Sequence, residues 1–289
     1  MPGQRVIVVE VDRSARSRVA ADWAAREARW RGLPLRVVHV AAPDALDAPR
    51  PKPGRPASVT PQVAAELAAE LTHRHPDVRI VTDTARLTGA AVPEPYPLCQ
   101  DAEIVVLGLP GEDELSGPGP VSTTVRHVAG TATCPVVLVP DGPVRAGPAH
   151  RPAQVTVGVD ARRPAGDAID FAFGTARLRR ARLRVLHAWA LPPSAAELPF
   201  SVPEEDRAAW EDHEVQLLSD AVRPWREKYP DVRVLEDVVL FSPAEALIRN
   251  PGDAELVVIG RRHPYGNGLP AVADDLLRHT GCPVAVVPG

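Results

Sequence analysis

Residues Arg5–Ser14 read RVIVVEVDRS, and residues Gln154–Arg163 read QVTVGVDARR. Each is an apolar, β-branched run that ends on an aspartate, Asp12 in the first and Asp160 in the second, 148 residues apart. The same offset relates LPLRVVHVAAP (Leu33–Pro43) to ARLRVLHAWALP (Ala181–Pro192), so that His39 matches His187. It also relates TCPVVLVP (Thr133–Pro140) to GCPVAVVP (Gly281–Pro288). Between these, HPDVRI (His75–Ile80) answers YPDVRV (Tyr229–Val234), and AEIVVLG (Ala102–Gly108) answers AELVVIG (Ala254–Gly260). The chain is therefore a duplication, because a period this long exceeds any solenoid repeat.

Within each copy, strands alternate with helices. A continuous run such as VIVVEV suits a parallel strand covered on both faces. The stretch Ser14–Arg31 follows as a helix, with Val19, Trp23, Ala24 and Ala28 on one stripe. Next are expected a strand at Leu35–Ala41, a helix at Pro61–His73, a strand at Val78–Asp83 and a short helix near Pro95–Gln100. A strand at Ile104–Leu109, a helix at Ser122–Gly130 and a strand at Val136–Val139 complete the copy. The second copy repeats this order with a longer second helix, Glu204–Lys228. Right-handed crossovers then make each copy an α/β, doubly wound domain with a five-stranded parallel sheet in the order 3-2-1-4-5. The expected domains are 1–141 and 153–289, joined by the Pro/Gly-rich linker 142–152 (DGPVRAGPAHRP from Asp141). Pro43–Pro61, broken by six prolines, reads as a mobile loop.

The chain has 289 residues, 45% hydrophobic and 24% charged, which is globular composition. Its net charge of −4 offers no excess cation for a phosphate backbone, so nucleic-acid binding is not expected. Glu10 and Asp12 interrupt the opening too early for a secretory core, and no apolar stretch reaches the ~18 residues that span a bilayer. A cytoplasmic protein is expected. Three widely spaced cysteines (Cys99, Cys134, Cys282) give neither a disulfide framework nor a zinc spacing. Cys134 and Cys282 read as small core residues, and His39 and His187 as core or loop-anchoring side chains. The arginine-rich run Arg177–Arg184 reads as a solvated helix end. No nucleophile elbow, metalloprotease helix, Walker A loop or dinucleotide turn occurs, so no catalytic residue and no metal ligand is assigned.

In a doubly wound sheet, ligands bind beyond the carboxyl ends of the strands where the strand order reverses. Asp12 ends the first strand and Gly108 the fourth, so both face that crevice. After Gly108 comes LPGEDELSGPGPVSTTVRHV, whose glycines permit close backbone approach and whose Ser122–Thr123 opens the last helix. A helix N-terminus favours an anion. Asp12 and Asp160 also stand where a cap for the first helix of each domain is expected.

These segments, in the same order in both halves, resemble a tandem universal stress protein with two UspA-type domains, of a kind found in actinobacteria. The resemblance covers nearly all of the chain outside the linker and Pro43–Pro61. It implies a cytoplasmic stress-response protein. ATP-binding members of that family carry Gly-x2-Gly-x9-Gly-Ser/Thr after the fourth strand, an Asp ending the first and a small apolar residue ending the second. Carried over, this implies an adenine-nucleotide site in the first domain at Asp12, Val40, Gly108, Gly111, Ser122 and Thr123. The third glycine is missing, and Glu112, Asp113 and Glu114 place negative charge in the loop, which a bound Mg2+ would reverse. The second domain offers Asp160, Ala188 and Gly260. However, His263 replaces the second glycine, and Pro270–Ala271 stand where Gly-Ser belongs, so that site reads as degenerate. The resemblance further implies pairing of the two domains through their last strands (VVLVP with VAVVP), and a homodimer. The rival reading is an interaction module that binds no nucleotide.

Overall fold

The computed structural model describes residues 5–12, 14–41, 60–86, 96–109, 112–113, 117–118, 121–141, 153–191, 203–249, 254–261, 269 and 271–289. Pro43–Pro61 (but for its last two residues), the linker 142–152, Gly111 and His263 therefore lie outside the described residues, as does Pro270. Two compact units form, built principally on Met1–Pro143 and on Val144–Pro264 with Pro270–Gly289.

In the first unit, strands β1 (Val6–Val11), β2 (Leu35–Ala41), β3 (Ile80–Arg86), β4 (Ala102–Leu109) and β5 (Val136–Pro140) alternate with helices α1 (Ala15–Arg31), α2 (Thr60–Arg74) and α3 (Thr123–Thr131). These five strands pair in parallel and run β3-β2-β1-β4-β5, the expected order. Ile7, Val8 and Val9 are fully buried, as are Ile104, Val105 and Val106 beside them. That is the double-sided cover their unbroken apolar runs required. A two-residue antiparallel ladder, Glu112–Asp113 with Gly117–Pro118, lies beyond β4 and was not anticipated.

Helix α1 begins at Ser14, whose hydroxyl accepts from the Ser17 amide, and ends at Gly32 with φ 64°. The cap is thus Ser14 and not Asp12, which corrects the capping role expected of that aspartate. The helix buries Ala20, Ala21, Ala24, Ala25 and Ala28 together with Trp23, whereas Val19 is only half-buried. Small side chains let the helix lie close on the sheet, so alanine carries the contact face. Strand β3 starts two residues later than Val78, because the Val78 amide closes a turn on the His75 carbonyl at 3.1 Å.

The second unit repeats the plan with β6 (Gln154–Gly158), α4 (Gly166–Arg179), β7 (Arg182–Trp189), α5 (Glu204–Lys228), β8 (Val234–Leu240), α6 (Pro243–Arg249), β9 (Ala254–Arg261), α7 (Ala271–His279) and β10 (Val284–Pro288). Its parallel order is β8-β7-β6-β9-β10, again 3-2-1-4-5. Helix α4 has no side-chain cap at Ala165, so Asp160 does not cap it either. The arginine run is not uniformly solvated: Arg184 is buried on β7, and its Nε donates to Asp237 at 2.8 Å. Cys99, Cys134 and Cys282 are buried. No helix among the described residues is long and apolar enough to cross a membrane.

Candidate functional site

Strand order reverses between β1 and β4, and their carboxyl ends open onto a cleft of about 210 Å³ in the first unit. Asp12, Gly108 and Ser122 all line it, joined by Glu10, Arg16, Ser17 and Thr124 over an apolar floor of Val11, Leu107 and Val125. Of the residues expected here, Thr123 is exposed on the first turn of α3, while its neighbour Thr124 faces the cleft. Val40 is half-buried on β2 and is not part of the lining.

Asp12 organises the mouth of the cleft. Its Oδ1 accepts from the Ser14 amide at 2.8 Å and from the hydroxyls of Ser14 and Ser17. Its own amide donates to Ser17 Oγ at 2.8 Å, and Arg16 reaches its Oδ2 at 3.4 Å. Partial burial works against the charge, but these donors outweigh it and hold the carboxyl down at about 2. A carboxylate thus already sits at the N-terminus of α1, where an anion is favoured. The N-terminus of α3 is capped by Ser122, whose hydroxyl accepts from the Val125 amide at 3.2 Å. His39 donates from Nδ1 to the Val11 carbonyl at 2.9 Å, anchoring the end of β1 to β2.

Gly108 has a mechanical reason to be glycine. A Cβ there would stand 3.0 Å from the Arg16 carbonyl oxygen, so the first turn of α1 lies directly on β4. Gly260 is tighter still, with a Cβ meeting that of Ala165 at 2.5 Å.

Sequence reasoning did not single out Glu10. The Tyr96 phenol, itself fully buried, donates to Glu10 Oε2 at 2.6 Å. Burial is the main influence on Glu10 and pushes its carboxyl up, with the Asp12 charge adding to it. The available signal was the repeat itself, since the matching residue 148 positions on is Gly158.

The second unit treats the same strand ends differently. Asp160 is exposed; its Oδ1 accepts from the Arg162 amide at 3.1 Å, and its Oδ2 lies 3.6 Å from Arg163. Arg162, in the loop after β6, reaches across to buried Glu214 on α5 through Nη1 at 2.8 Å and through Nη2. Beneath them His187 bridges the Val159 carbonyl and Glu214 Oε2, each at 3.0 Å. Burial favours the neutral acid, yet the bonds from Arg162 and His187 win and lower the Glu214 carboxyl. An ion pair therefore ties the loop after β6 to α5, and Ala188, next to His187 on β7, is half-buried. Gly260 faces Ala165, and His263 lies outside the described residues. Among the described residues no three His, Cys, Asp or Glu side chains gather as metal ligands would.

The sequence pattern of the Universal stress protein family matches residues 4–140 and again 153–288. A universal stress protein of Mycobacterium tuberculosis is 32% identical over 303 residues, covering 98% of this chain and 97% of the relative. A second from the same organism is 32% identical over 274 residues, covering 89% and 86%. A solved universal stress protein from Archaeoglobus fulgidus shares the fold with a TM-score of 0.62 at 13% identity, covering 98% of each chain. The chain belongs to the universal stress protein family and carries two of its domains in tandem.

Proposed function

We propose that this is a cytoplasmic stress-response protein that binds an adenine nucleotide in the cleft of its first domain, with little or no hydrolysis. ATP, with or without Mg2+, is the ligand the family resemblance implies. The observation that carries the reading is the meeting of Asp12, Gly108 and Ser122, from three separate segments, on one cleft at the reversal of strand order. Val40, Gly111 and Thr123 extend the proposed site beyond that lining. Pairing of the two domains through VVLVP and VAVVP, and a homodimer of the whole chain, complete the reading and are open to cross-linking and light scattering.

A second reading, an interaction module without nucleotide, is favoured by the second domain. There the Arg162–Glu214 pair ties the loop after β6 to α5, and Ala165 crowds Gly260. Denaturing the purified protein and chromatographing the filtrate for adenine nucleotides, beside calorimetric titration, separates the two. About one nucleotide per chain supports binding in the first domain. No nucleotide and no heat leaves the interaction module.

A further inference from the structure

The two domains fill one position of the fold in opposite ways. In the second, residue 158 is glycine, and a Cβ there would meet Leu247 Cδ1 of α6 at 3.2 Å, an apolar closure. In the first, the matching residue is Glu10, and the segment preceding the fourth strand supplies the Tyr96 phenol to bind it. Placing a carboxyl where glycine suffices is costly unless the group is used. Glu10 lines the cleft, Tyr96 occupies only Oε2, and among the described residues Oε1 accepts no other hydrogen bond.

The charged groups around Glu10 are few. Asp12 and Arg16 share the lining and lie 3.4 Å apart, so their charges offset each other. His39 on β2 exerts a weak opposing influence, and the described residues of the turn before β4 bring Tyr96 and, behind it, Cys99. The described lining from β4 and α3 is uncharged. Among the described lining residues the net charge is thus set by Glu10.

We propose that Glu10 is the selectivity residue of the first-domain cleft, an acceptor that takes a hydroxyl or amino donor of a nucleoside or nucleoside monophosphate and disfavours a polyphosphate. This rests on the nucleotide-binding reading above and narrows its ligand class. A carboxylate in a partly exposed cleft repels the two phosphates that ATP adds to AMP, weakening binding roughly tenfold in all. Tyr96 is a positioning residue that holds the carboxyl toward the cleft.

The test is calorimetric titration of the full chain with adenosine, AMP and ATP, without metal, in wild type and Glu10→Gln. The glutamine keeps the volume and the acceptor for Tyr96, and a thermal melt checks folding. In wild type near neutral pH, AMP is expected to bind roughly tenfold more tightly than ATP, and Glu10→Gln to close most of that gap. Lowering the pH protonates Glu10 and closes the wild-type gap as well, whereas the Gln variant shows only the titration of the phosphates. Should ATP bind more tightly than AMP in wild type, or the gap be the same in Glu10→Gln, Glu10 is not the selectivity residue while nucleotide binding stands. Should none of the three ligands give heat, the nucleotide reading fails and takes this one with it.

Discussion

Arg180 ends α4 with φ 52°, in the left-handed position that Gly32 takes at φ 64° at the end of α1, 148 residues earlier. Both amides close back on the helix, Gly32 on Ala28 and Arg29 and Arg180 on Ala176 and Arg177. The cap geometry is shared, but only glycine adopts it without a Cβ penalty.

Arg180→Gly is therefore expected to stabilise the second domain by roughly 0.5–1 kcal/mol, the relief of a left-handed Cβ less the added freedom of the unfolded chain. Gly32→Ala should cost about 1 kcal/mol in the first. Urea unfolding of the single variants measures both, and a destabilised Arg180→Gly refutes the strain argument.

Glu214→Gln should destabilise the second domain by about 2–3 kcal/mol, less than a wholly buried pair because Arg162 is half exposed. Because the folded Glu214 carboxyl lies below its ordinary value of 4.5, its contribution is complete above that pH. It is lost as pH falls through the folded value. The wild-type minus Glu214→Gln stability difference should thus shrink on acidification, and a difference that grows instead would reverse the sign argued here.

Asp12, held at about 2, is expected to titrate by carboxyl NMR roughly two units below an ordinary aspartate. Replacing Ser17 with alanine removes one donor and exposes the amide of Asp12, and should raise that midpoint. Its stabilising influence is present above pH ~4 and fades as pH falls toward 2.

Gly108→Ala and Gly260→Ala should both destabilise, by roughly 1–2 and 2–3 kcal/mol, since the added Cβ meets a carbonyl oxygen at 3.0 Å in one and a methyl at 2.5 Å in the other. Loss of nucleotide binding in Gly108→Ala has meaning only at a temperature where that variant is folded. Equal stability of Gly260→Ala and wild type would show that α4 yields easily.

Much of this was legible because the informative residues lie at strand ends. VIVVEV and AEIVVLG give both strands of the cleft, and the chain leaves each on Asp12 and Gly108, so the site follows from strand order. Side chains with distant partners carried no local sign. Glu10 sat inside an apolar run and its partner Tyr96 lies 86 residues away, while Arg162 and Glu214 are 52 apart. Val19 misled because a β-branched residue outweighs alanine in any hydropathy stripe, whereas the sheet accepts alanine at shorter range. Glu27 hides on the buried face of α1 because Arg31, one turn on, meets it at 2.6 Å.

The contact between Gly260 and Ala165 has a consequence for how such chains age after duplication. A domain released from selection for a ligand would still be held to glycine at this site, because the neighbouring helix leaves no room for a methyl group. The first glycine of the loop would then outlast the chemistry it once accompanied. A sequence comparison that weighs it as a mark of nucleotide binding would be reading the imprint of a helix against a strand.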